Sequence, residues 1–291
     1  YGNALASQER VTVLKRNLSN VKNNLDEIEK IHRNGLTELE NVEQLRITYS
    51  TIKNSLDYSS KLNKTSLSLL KLLIGYDIDK EIVLSNSLQD LTLKSILEKK
   101  SIENFEIDKN IDYQMALNNS KSQKTLLTLE KSKALPTLRA FIKGGYDGNN
   151  DSFKFFKSNQ KWYGYSIAGV SMSVPIFSSL RRSAKTQQAR IEFEKSKIDL
   201  SESKKKIIIE LHNANSEYEY AVSSYNSAVE NVKLAEKIER KNQIKFLEGL
   251  ISGLDLRQAQ IQLYSIQNQL LQSMLEVINK KTNLEGILTQ N

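Results

Sequence analysis

A long hydrophobic repeat with helical spacing runs through the last third of the chain. From Leu211 onward, apolar residues recur in alternating steps of three and four, and alanine takes every second position. This alternation is typical of the seam of a left-handed coiled coil, where small alanine side chains let neighbouring helices approach closely. It predicts a helix over residues 183–246, about 100 Å long at 1.5 Å per residue. The seam residues are Leu211, Ala214, Tyr218, Ala221, Tyr225, Ala228, Val232 and Ala235.

The same helical hairpin is predicted twice. The apolar repeat resumes after Gly249, and a constant shift along the sequence, the one that places Gly35 on Gly249, superposes the two regions without a gap. We call this the duplication shift. Because identical residues and the heptad register match under it, the sequence predicts an internal duplication. Identical pairs include Gly35/Gly249, Leu36/Leu250, Gln44/Gln258, Ile47/Ile261, Ile52/Ile266, Asn54/Asn268, Leu56/Leu270, Ser59/Ser273 and Leu70/Leu284. The predicted seam of the first hairpin is Leu14, Leu18, Val21, Leu25, Ile28, Val42, Leu45, Tyr49, Ile52 and Leu56.

Between the two helical hairpins the hydrophobic period changes from helical to alternating. Residues 110–135 predict one more helix, which Pro136 ends. Residues 137–146 and 162–177 lose the helical repeat, and in the second run apolar residues alternate with serine, as in a strand with one apolar face. The alternating apolar residues are Val170, Met172, Val174 and Ile176. We therefore expect a β-hairpin, with Pro136 and Pro175 at its junctions with the helices, where a missing N–H costs least.

The predicted fold is mainly α with a small β part, in four segments. These are a first helical hairpin over 1–75, a connecting segment with a helix over 76–135, the β-hairpin over 136–177 and the second helical hairpin over 178–291. Under the duplication shift, Tyr1 stands opposite Asn215. We therefore expect a counterpart of the β-hairpin, and a signal peptide, to precede Tyr1.

The composition supports long helices and excludes several kinds of site. The 291 residues include only two prolines and eleven glycines, few helix breakers for so long a chain. The absence of cysteine excludes disulfides, thiolate metal sites and cysteine nucleophiles. The net charge of +8 is spread among acidic residues, which is typical of solvated helix faces and argues against a nucleic-acid partner.

The sequence predicts neither a catalytic site nor a cofactor. It has no glycine-rich phosphate loop, no plausible catalytic triad and no spacing of metal ligands. The two histidines, His32 and His212, fall on predicted helices and are expected to be structural. We therefore expect a protein that is not an enzyme.

Several motifs together resemble the TolC family of outer membrane efflux proteins. The run 172–177, followed by 180–182 and 187–189, is similar to the family's "P-I-F…R-R…Q-A" pattern. The run 134–138 is similar to the "F-L-P-S-L" that opens the same hairpin. The run 246–260 is similar to the family's "Y-x-x-G…D-V-L-x-A-Q" turn. Together with the duplicated hairpin, the resemblance covers essentially the whole chain.

The resemblance implies a homotrimer in the cell outer membrane of a Gram-negative bacterium. Family members give strands to a shared transmembrane β-barrel, in contact with outer membrane lipid, and long helices to an α-barrel in the periplasm. The tube is the passive exit duct of a tripartite efflux pump or a type I secretion system. Its partners are a periplasmic adaptor protein and an inner-membrane transporter. The alternative is a soluble periplasmic coiled-coil scaffold without a pore.

The resemblance also assigns roles to residues at the helical turns. Gly35, Leu36, Gly249 and Leu250 stand at the tips that contact the adaptor, although both glycines are also explained as helix C-caps with positive φ. Asp255 matches an acidic position that lines the pore in the family, and its other explanation is a solvated residue at a helix start.

The remaining assignments concern a gating lock and the membrane interface. Gln258, Phe246 and Ile251 stand where the family has a second acid, a tyrosine and an arginine, so the Tyr–Arg lock of the family is not expected. Near one end of the β-hairpin, aromatic side chains fit either a girdle at the membrane interface or packing within the loop. These aromatic residues are Trp162, Tyr163 and Tyr165.

Overall fold

The structure, a computed structural model, describes residues 1–98, 102 and 105–289. Residues 99–101, 103–104 and 290–291 belong to the predicted segments 76–135 and 178–291 and lie outside the described residues. The elements are α1 (Gly2–Arg33), α2 (Leu39–Leu73), α3 (Leu88–Leu97), α4 (Ile111–Ser132), β1 (Thr137–Asp147), β2 (Tyr163–Ser173), α5 (Arg181–Leu247) and α6 (Gly253–Leu288). The chain divides into two compact units, residues 1–106 with 208–291 and residues 107–207.

The helix bounds of the two hairpins correspond under the duplication shift. In the first hairpin α1 ends at Arg33 and α2 begins at Leu39, and the duplication shift carries these bounds onto Leu247, the end of α5, and Gly253, the start of α6. The prediction of one very long helix is confirmed, since α5 has 67 residues. Two equivalent helical hairpins thus lie in the first compact unit, the second made of α6 and the part of α5 from residue 208.

In the second hairpin, the predicted seam residues lie in the core of the first unit. Of the eight predicted residues from Leu211 to Ala235, all are buried except Val232, which is half-buried. The five seam residues from Leu211 to Tyr225 pack with residues of α1, α3 and α6, among them Leu5, Leu88 and Val277. The buried Tyr218 hydroxyl donates a hydrogen bond to the Ser95 backbone oxygen at 3.0 Å, so this polar atom inside the core is satisfied.

The first hairpin departs from its predicted seam. Leu18, Leu25 and Tyr49 are only half-buried, whereas the polar side chains beside them in sequence are buried. The buried residues are Asn17, Asn24 and Thr48. The reason is that α6 packs against both α1 and α2, so the buried face of each helix turns toward a third helix. A seam predicted from a two-helix pattern misses that rotation.

In the second unit, α4 begins where the sequence predicted but ends before the predicted boundary. The Asn110 side chain accepts a hydrogen bond from the Tyr113 N–H at 3.1 Å and so caps the helix. The helix ends at Ser132, and the chain turns through Lys133 to Leu135 before β1. The Ser196 hydroxyl of α5 donates to the Ser120 hydroxyl of α4 at 3.3 Å.

The β-hairpin forms as predicted, but its second strand is shorter. β1 and β2 pair antiparallel, and Thr137 opposite Ser173 is the last pair of the ladder. The next position would place Val174 opposite Pro136, which has no N–H to donate, and Pro175 follows at once. Val174 and Ile176, predicted as strand residues, therefore lie outside β2.

Candidate functional site

Both helical turns of the first unit have the same backbone geometry. Gly35 and Gly249 have φ angles of 75° and 73°, in the left-handed region that glycine adopts without steric cost. In each turn two backbone hydrogen bonds close a Schellman motif, from Gly35 N to His32 O and from Leu36 N to Ile31 O in the first. The role of both glycines as C-caps is therefore confirmed.

The two turns lie side by side and line one cleft of about 640 Å³. Sequence reasoning assigned a tip to each hairpin separately, and the structure brings the two tips together. Predicted residues in the lining are Leu36, Gly249, Leu250 and Asp255, whereas Gly35 is not part of it. The lining also includes Thr37, Glu38, Glu40, Asn41, Gln44, Phe246, Ile251, Ser252 and Leu254.

The cleft combines exposed apolar side chains with negative charge. Leu36 is 76% exposed, Leu250 67% and Leu254 58%, which is high for leucine near a folded turn. Lining carboxylates come from Glu38, Glu40 and Asp255, and no lysine or arginine is among the described lining residues. The surface therefore suits a partner that offers apolar and basic side chains.

A polar clamp that sequence reasoning missed holds the two turns together. The Gly253 N–H at the start of α6 donates to Asn41 Oδ1 at 2.7 Å, and Asn41 Nδ2 donates to Thr37 Oγ1 at 3.0 Å. Below this contact, Arg257 Nη1 donates to Gln44 Oε1 at 2.9 Å. A detectable signal was the glycine directly after the N-cap serine, since glycine is a poor helix former and often marks a close backbone approach.

Asp255 has a clear local role at the start of α6. Its carboxylate accepts hydrogen bonds from the Ser252 N–H at 3.0 Å and the Ser252 hydroxyl at 2.7 Å, while the Ser252 side chain accepts from the Asp255 N–H. This is a capping box. The hydrogen bonds from the Ser252 side chain and backbone lower the pKa of Asp255. The helix-start explanation is thus confirmed, and a place in a pore lining stays a prediction.

His32 has a structural contact, as expected. Its Nδ1 lies 2.8 Å from the Thr37 backbone oxygen. Because a carbonyl oxygen only accepts, Nδ1 carries the proton and donates across the turn. The equivalent residue of the second hairpin is Phe246, which is buried among Ile28, Val42 and other apolar residues.

The other predicted residues lie on the β-hairpin, where the register separates two faces. Leu138, Ala140 and Ile142 pair with Met172, Val170 and Ala168 on one face. Arg139, Lys143, Tyr163, Tyr165 and Ser171 lie on the other face, which Phe141 and Ile167 share. Tyr163 and Tyr165 thus lie opposite the apolar face, and Tyr146, which sequence reasoning did not select, lies on it. Trp162 precedes β2, and its place at a membrane interface, like that of the two tyrosines, stays a prediction.

Aromatic rings cover glycines of the opposite strand within this hairpin. A Cβ on Gly145 would lie 3.0 Å from the Tyr165 hydroxyl oxygen, and one on Gly164 would lie 3.2 Å from the Tyr146 ring. Such pairs fill the gap that a glycine leaves in a strand. They give Tyr165 and Tyr146 a packing role within the hairpin.

Two further properties bear on the kind of site present. In the described part of the chain, no group of histidine, cysteine and carboxylate side chains is arranged to hold a metal ion. Within the same residues, no helix combines the length and apolar character needed to cross a membrane.

Comparisons with known proteins were made against families, curated sequences and solved structures. The outer membrane efflux protein family matches residues 110–290, more than half of the chain. No curated relative matches significantly. Structures similar to this one include CusC (13% identity, TM-score 0.77), VceC from Vibrio cholerae (16%, 0.73) and the open state of the Neisseria gonorrhoeae MtrE outer membrane channel (16%, 0.73). Each match covers 99% of this chain but only 64–66% of the other chain.

These matches confirm the fold class and the resemblance first seen in the motifs. The structural likeness extends over both helical hairpins and the β-hairpin, because nearly the whole chain is covered. At such low identity the structural likeness shows the fold alone. The family follows from the match over residues 110–290. The chain therefore belongs to the outer membrane efflux protein family.

Proposed function

We propose that the protein is the outer membrane exit duct of a tripartite efflux pump, acting as a passive homotrimeric channel with its helical hairpins in the periplasm. The observation that carries the proposal is the meeting of both helical turns at one exposed cleft, in a chain of this family. A duct needs a docking end where energy-coupled partners attach. The paired turns supply such an end in each copy.

The cleft at the turns is proposed to bind the periplasmic adaptor, which links the duct to an inner-membrane transporter. Exposed leucines at Leu36, Leu250 and Leu254 offer apolar area, and the surrounding carboxylates favour a basic partner. Because Schellman turns and a capping box fix the backbone on both sides, little conformational freedom is lost on docking.

The β-hairpin is proposed to enter the outer membrane. Its one apolar face suits contact with lipid, and the opposite face, with Arg139, Lys143 and Ser171, suits a watery interior. Both strands have 11 residues, which matches the span of a tilted strand across the hydrocarbon layer.

Efflux is favoured over type I protein secretion as the process that the duct serves. The support is the family description, which names efflux. The cargo is set largely by the transporter, because a passive duct selects weakly among solutes that fit it.

The first test is the localisation, mass and shape of the full protein. We expect it to fractionate with outer membranes, to require detergent and to have the light-scattering mass of three chains. Negative-stain images should contain end-on views with a central hole. A rod-shaped monomer or dimer that is soluble without detergent would contradict the proposal and would favour a periplasmic scaffold.

A further inference from the structure

One face of the β-hairpin carries all of the charged residues of its two strands. This face consists of the odd-numbered residues of β1 and β2, and we call it the inner face because it is proposed to line the duct. On β1 it presents Arg139, Lys143 and Asp147 at equal intervals, with successive Cα atoms of this series about 13 Å apart along the strand. β2 contributes no charged residue. The inner face is therefore net positive.

The two cations of the inner face keep their charge free. Arg139 lies opposite Ser171 and Lys143 lies opposite Ile167, and both cations are exposed. Within the described residues neither of them forms an ion pair. Asp147, the only acid of the two strands, stands at the far end of β1. Both positive charges are thus available to a solute that passes this face.

An aromatic ring between the two cations supports Lys143. Phe141 lies directly on Gly169 of the opposite strand, since a Cβ on this glycine would lie 2.7 Å from Phe141 Cζ. Lys143 Nζ is 5.7 Å from the centroid of the same ring, within the range of a cation–π contact. The ammonium group is therefore held beside the inner face by a contact that does not neutralise it.

The loop that joins the two strands continues the positive charge. Residues 148–162 contain three exposed lysines and one exposed acid, Asp151. Asn150 Nδ2 donates to Gln160 Oε1 at 3.0 Å, so a hydrogen bond ties the two sides of the loop together. A solute that leaves the inner face at this end meets a second basic region. Its lysines are Lys154, Lys157 and Lys161.

We propose that the part of the duct formed by the β-hairpins, here called the membrane end, favours anionic solutes over cationic ones. In a symmetric trimer the three copies of a residue stand at one height, so Arg139 and Lys143 each form a ring of cations. Rings of arginine or lysine favour anions in pores, and residues of the lumen tune the selectivity of outer membrane barrels. The inference rests on the proposed duct and adds the charge of the solutes that its membrane end favours.

The strength of this preference depends on how far the charges act through water. The Debye length falls from about 30 Å at about 0.01 M salt to about 3 Å at about 1 M. Because the two rings are about 13 Å apart, their fields overlap in dilute salt and act separately in concentrated salt. The preference should therefore be strongest in dilute salt. It sorts solutes by charge, and the choice among anions is left to the transporter.

The ion preference of the full protein in planar lipid bilayers tests the inference. A gradient of potassium chloride across the bilayer produces a reversal potential, which gives the ratio of chloride to potassium permeability. In Arg139→Gln with Lys143→Gln, each copy loses two cations, and we expect this ratio to fall by about twofold or more in dilute salt. The difference between parent and variant should shrink in concentrated salt.

Ser171→Asp changes the same region without removing either cation. The new carboxylate stands opposite Arg139 and should also lower the ratio of chloride to potassium permeability. Ser171→Asn is the matched control, because it has nearly the same size and no charge, so the difference between these two variants measures the charge alone. Arg139→Lys with Lys143→Arg keeps both cations and should restore the ratio that the double glutamine variant loses.

The shift between the parent and its variants decides the inference, because charged residues elsewhere in the duct contribute to the parent's own ratio. A fall in the ratio in both charge variants supports the inference. A trimeric channel whose ratio does not fall in either one of them overturns it and leaves the proposed duct intact. The light-scattering mass identifies a variant that fails to assemble, and the other charge variant then decides. A parent protein that forms neither a trimer nor a channel overturns the duct, and the inference with it.

Discussion

At the residue scale, one pair of positions illustrates how burial changes side-chain chemistry within the duplication. In the first hairpin, Arg46 Nη2 binds Glu29 Oε1 at 2.8 Å, and the arginine is largely exposed. The equivalent positions of the second hairpin hold Gln260 and Gln243. Gln260 is fully buried, and a buried ion pair loses in desolvation much of what it gains by attraction. Neutral amides therefore stand where a third helix covers the pair.

Near the buried Gln260 of the second hairpin, the pKa values of two ionisable side chains are shifted. Burial raises the pKa of Glu239, although the neighbouring Gln260 amide offsets part of this effect. Burial, together with the negative charge of Glu239, raises the pKa of Tyr264.

Glu239→Gln tests this account through the pH dependence of stability. Because the folded-state pKa is raised, the folded protein holds the proton more tightly, and the stability that this provides is present below about pH 4.3 and is lost as pH rises through the folded-state pKa. The variant should therefore unfold at a higher temperature than the parent at pH 7. Their difference should shrink as the pH falls toward 4.

The matched control for this prediction is Glu276→Gln, which removes an exposed carboxylate on α6. The unfolding temperatures of the parent and of both variants are measured by circular dichroism between pH 4 and pH 8. An equal dependence on pH in the parent and in Glu239→Gln would mean that Glu239 is solvated.

At the element scale, the starts and ends of the helices are encoded by single residues. Glycines with positive φ end α1 and α5, and a capping box begins α6. The start of α2 has no capping box. Its third residue, Asn41, accepts a hydrogen bond from the N–H of Gly253 at the start of α6. Asn41 and Asp255, which occupy equivalent positions in α2 and α6, thus serve different partners in the two hairpins.

Gly253→Ala tests the close approach of α6 to α2. A Cβ there would lie 2.8 Å from Asn41 Oδ1 and 3.1 Å from its Cα, so the backbone must shift. Overpacking of this kind costs about 1–3 kcal/mol, which outweighs the higher helix propensity of alanine. We expect a lower thermal midpoint for this variant.

Gly286→Ala provides the control within the same helix. In the described structure, a Cβ on Gly286 meets nothing within 4 Å, so alanine should stabilise α6 by about 0.5–1 kcal/mol. The two substitutions should therefore have opposite signs in urea or thermal unfolding. A stabilising Gly253→Ala would mean that the two turns can separate without cost.

At the scale of the whole molecule, two distant parts of the sequence form one cleft, which is the proposed docking site. Leu36 and Leu250 belong to different hairpins and line the same cleft. An adaptor that binds at this cleft would contact both hairpins at once. This arrangement suits a channel end that is gripped by a partner.

The double variant Leu36→Glu with Leu250→Glu tests the docking end. Two added carboxylates in an already acidic, apolar cleft should weaken adaptor binding, and the trimer should persist because both leucines are exposed. Affinity for the adaptor, measured by co-purification, should fall by about tenfold or more if the binding free energy weakens by more than about 1.4 kcal/mol.

The control for this double variant is Leu73→Glu with Leu97→Glu. These leucines are 82% and 83% exposed and belong to neither helical turn of the cleft. They should leave adaptor binding unchanged. Normal pump assembly with the tip variant, or an equal loss with the control, would contradict the assignment of the tips.

The sequence alone determined the local features of this protein. Periodicity predicted the long helices, glycines predicted both turns, and alternation predicted the strands, because each of these features depends on residues close together in the chain. The tip role of Leu36 and Leu250 came from the family resemblance instead, and their contact with an adaptor stays a prediction.

Tertiary structure decided which surfaces meet. Asn17 and Asn24 are buried because helices of the second hairpin, α6 and α5, cover α1, and Asn41 clamps Gly253 because two turns lie side by side. No pattern within one helix contains that information, since the buried face depends on how many neighbours the helix has. The end of β2 at Ser173 was likewise set by Pro136 on the opposite strand, a partner that becomes known only from the register.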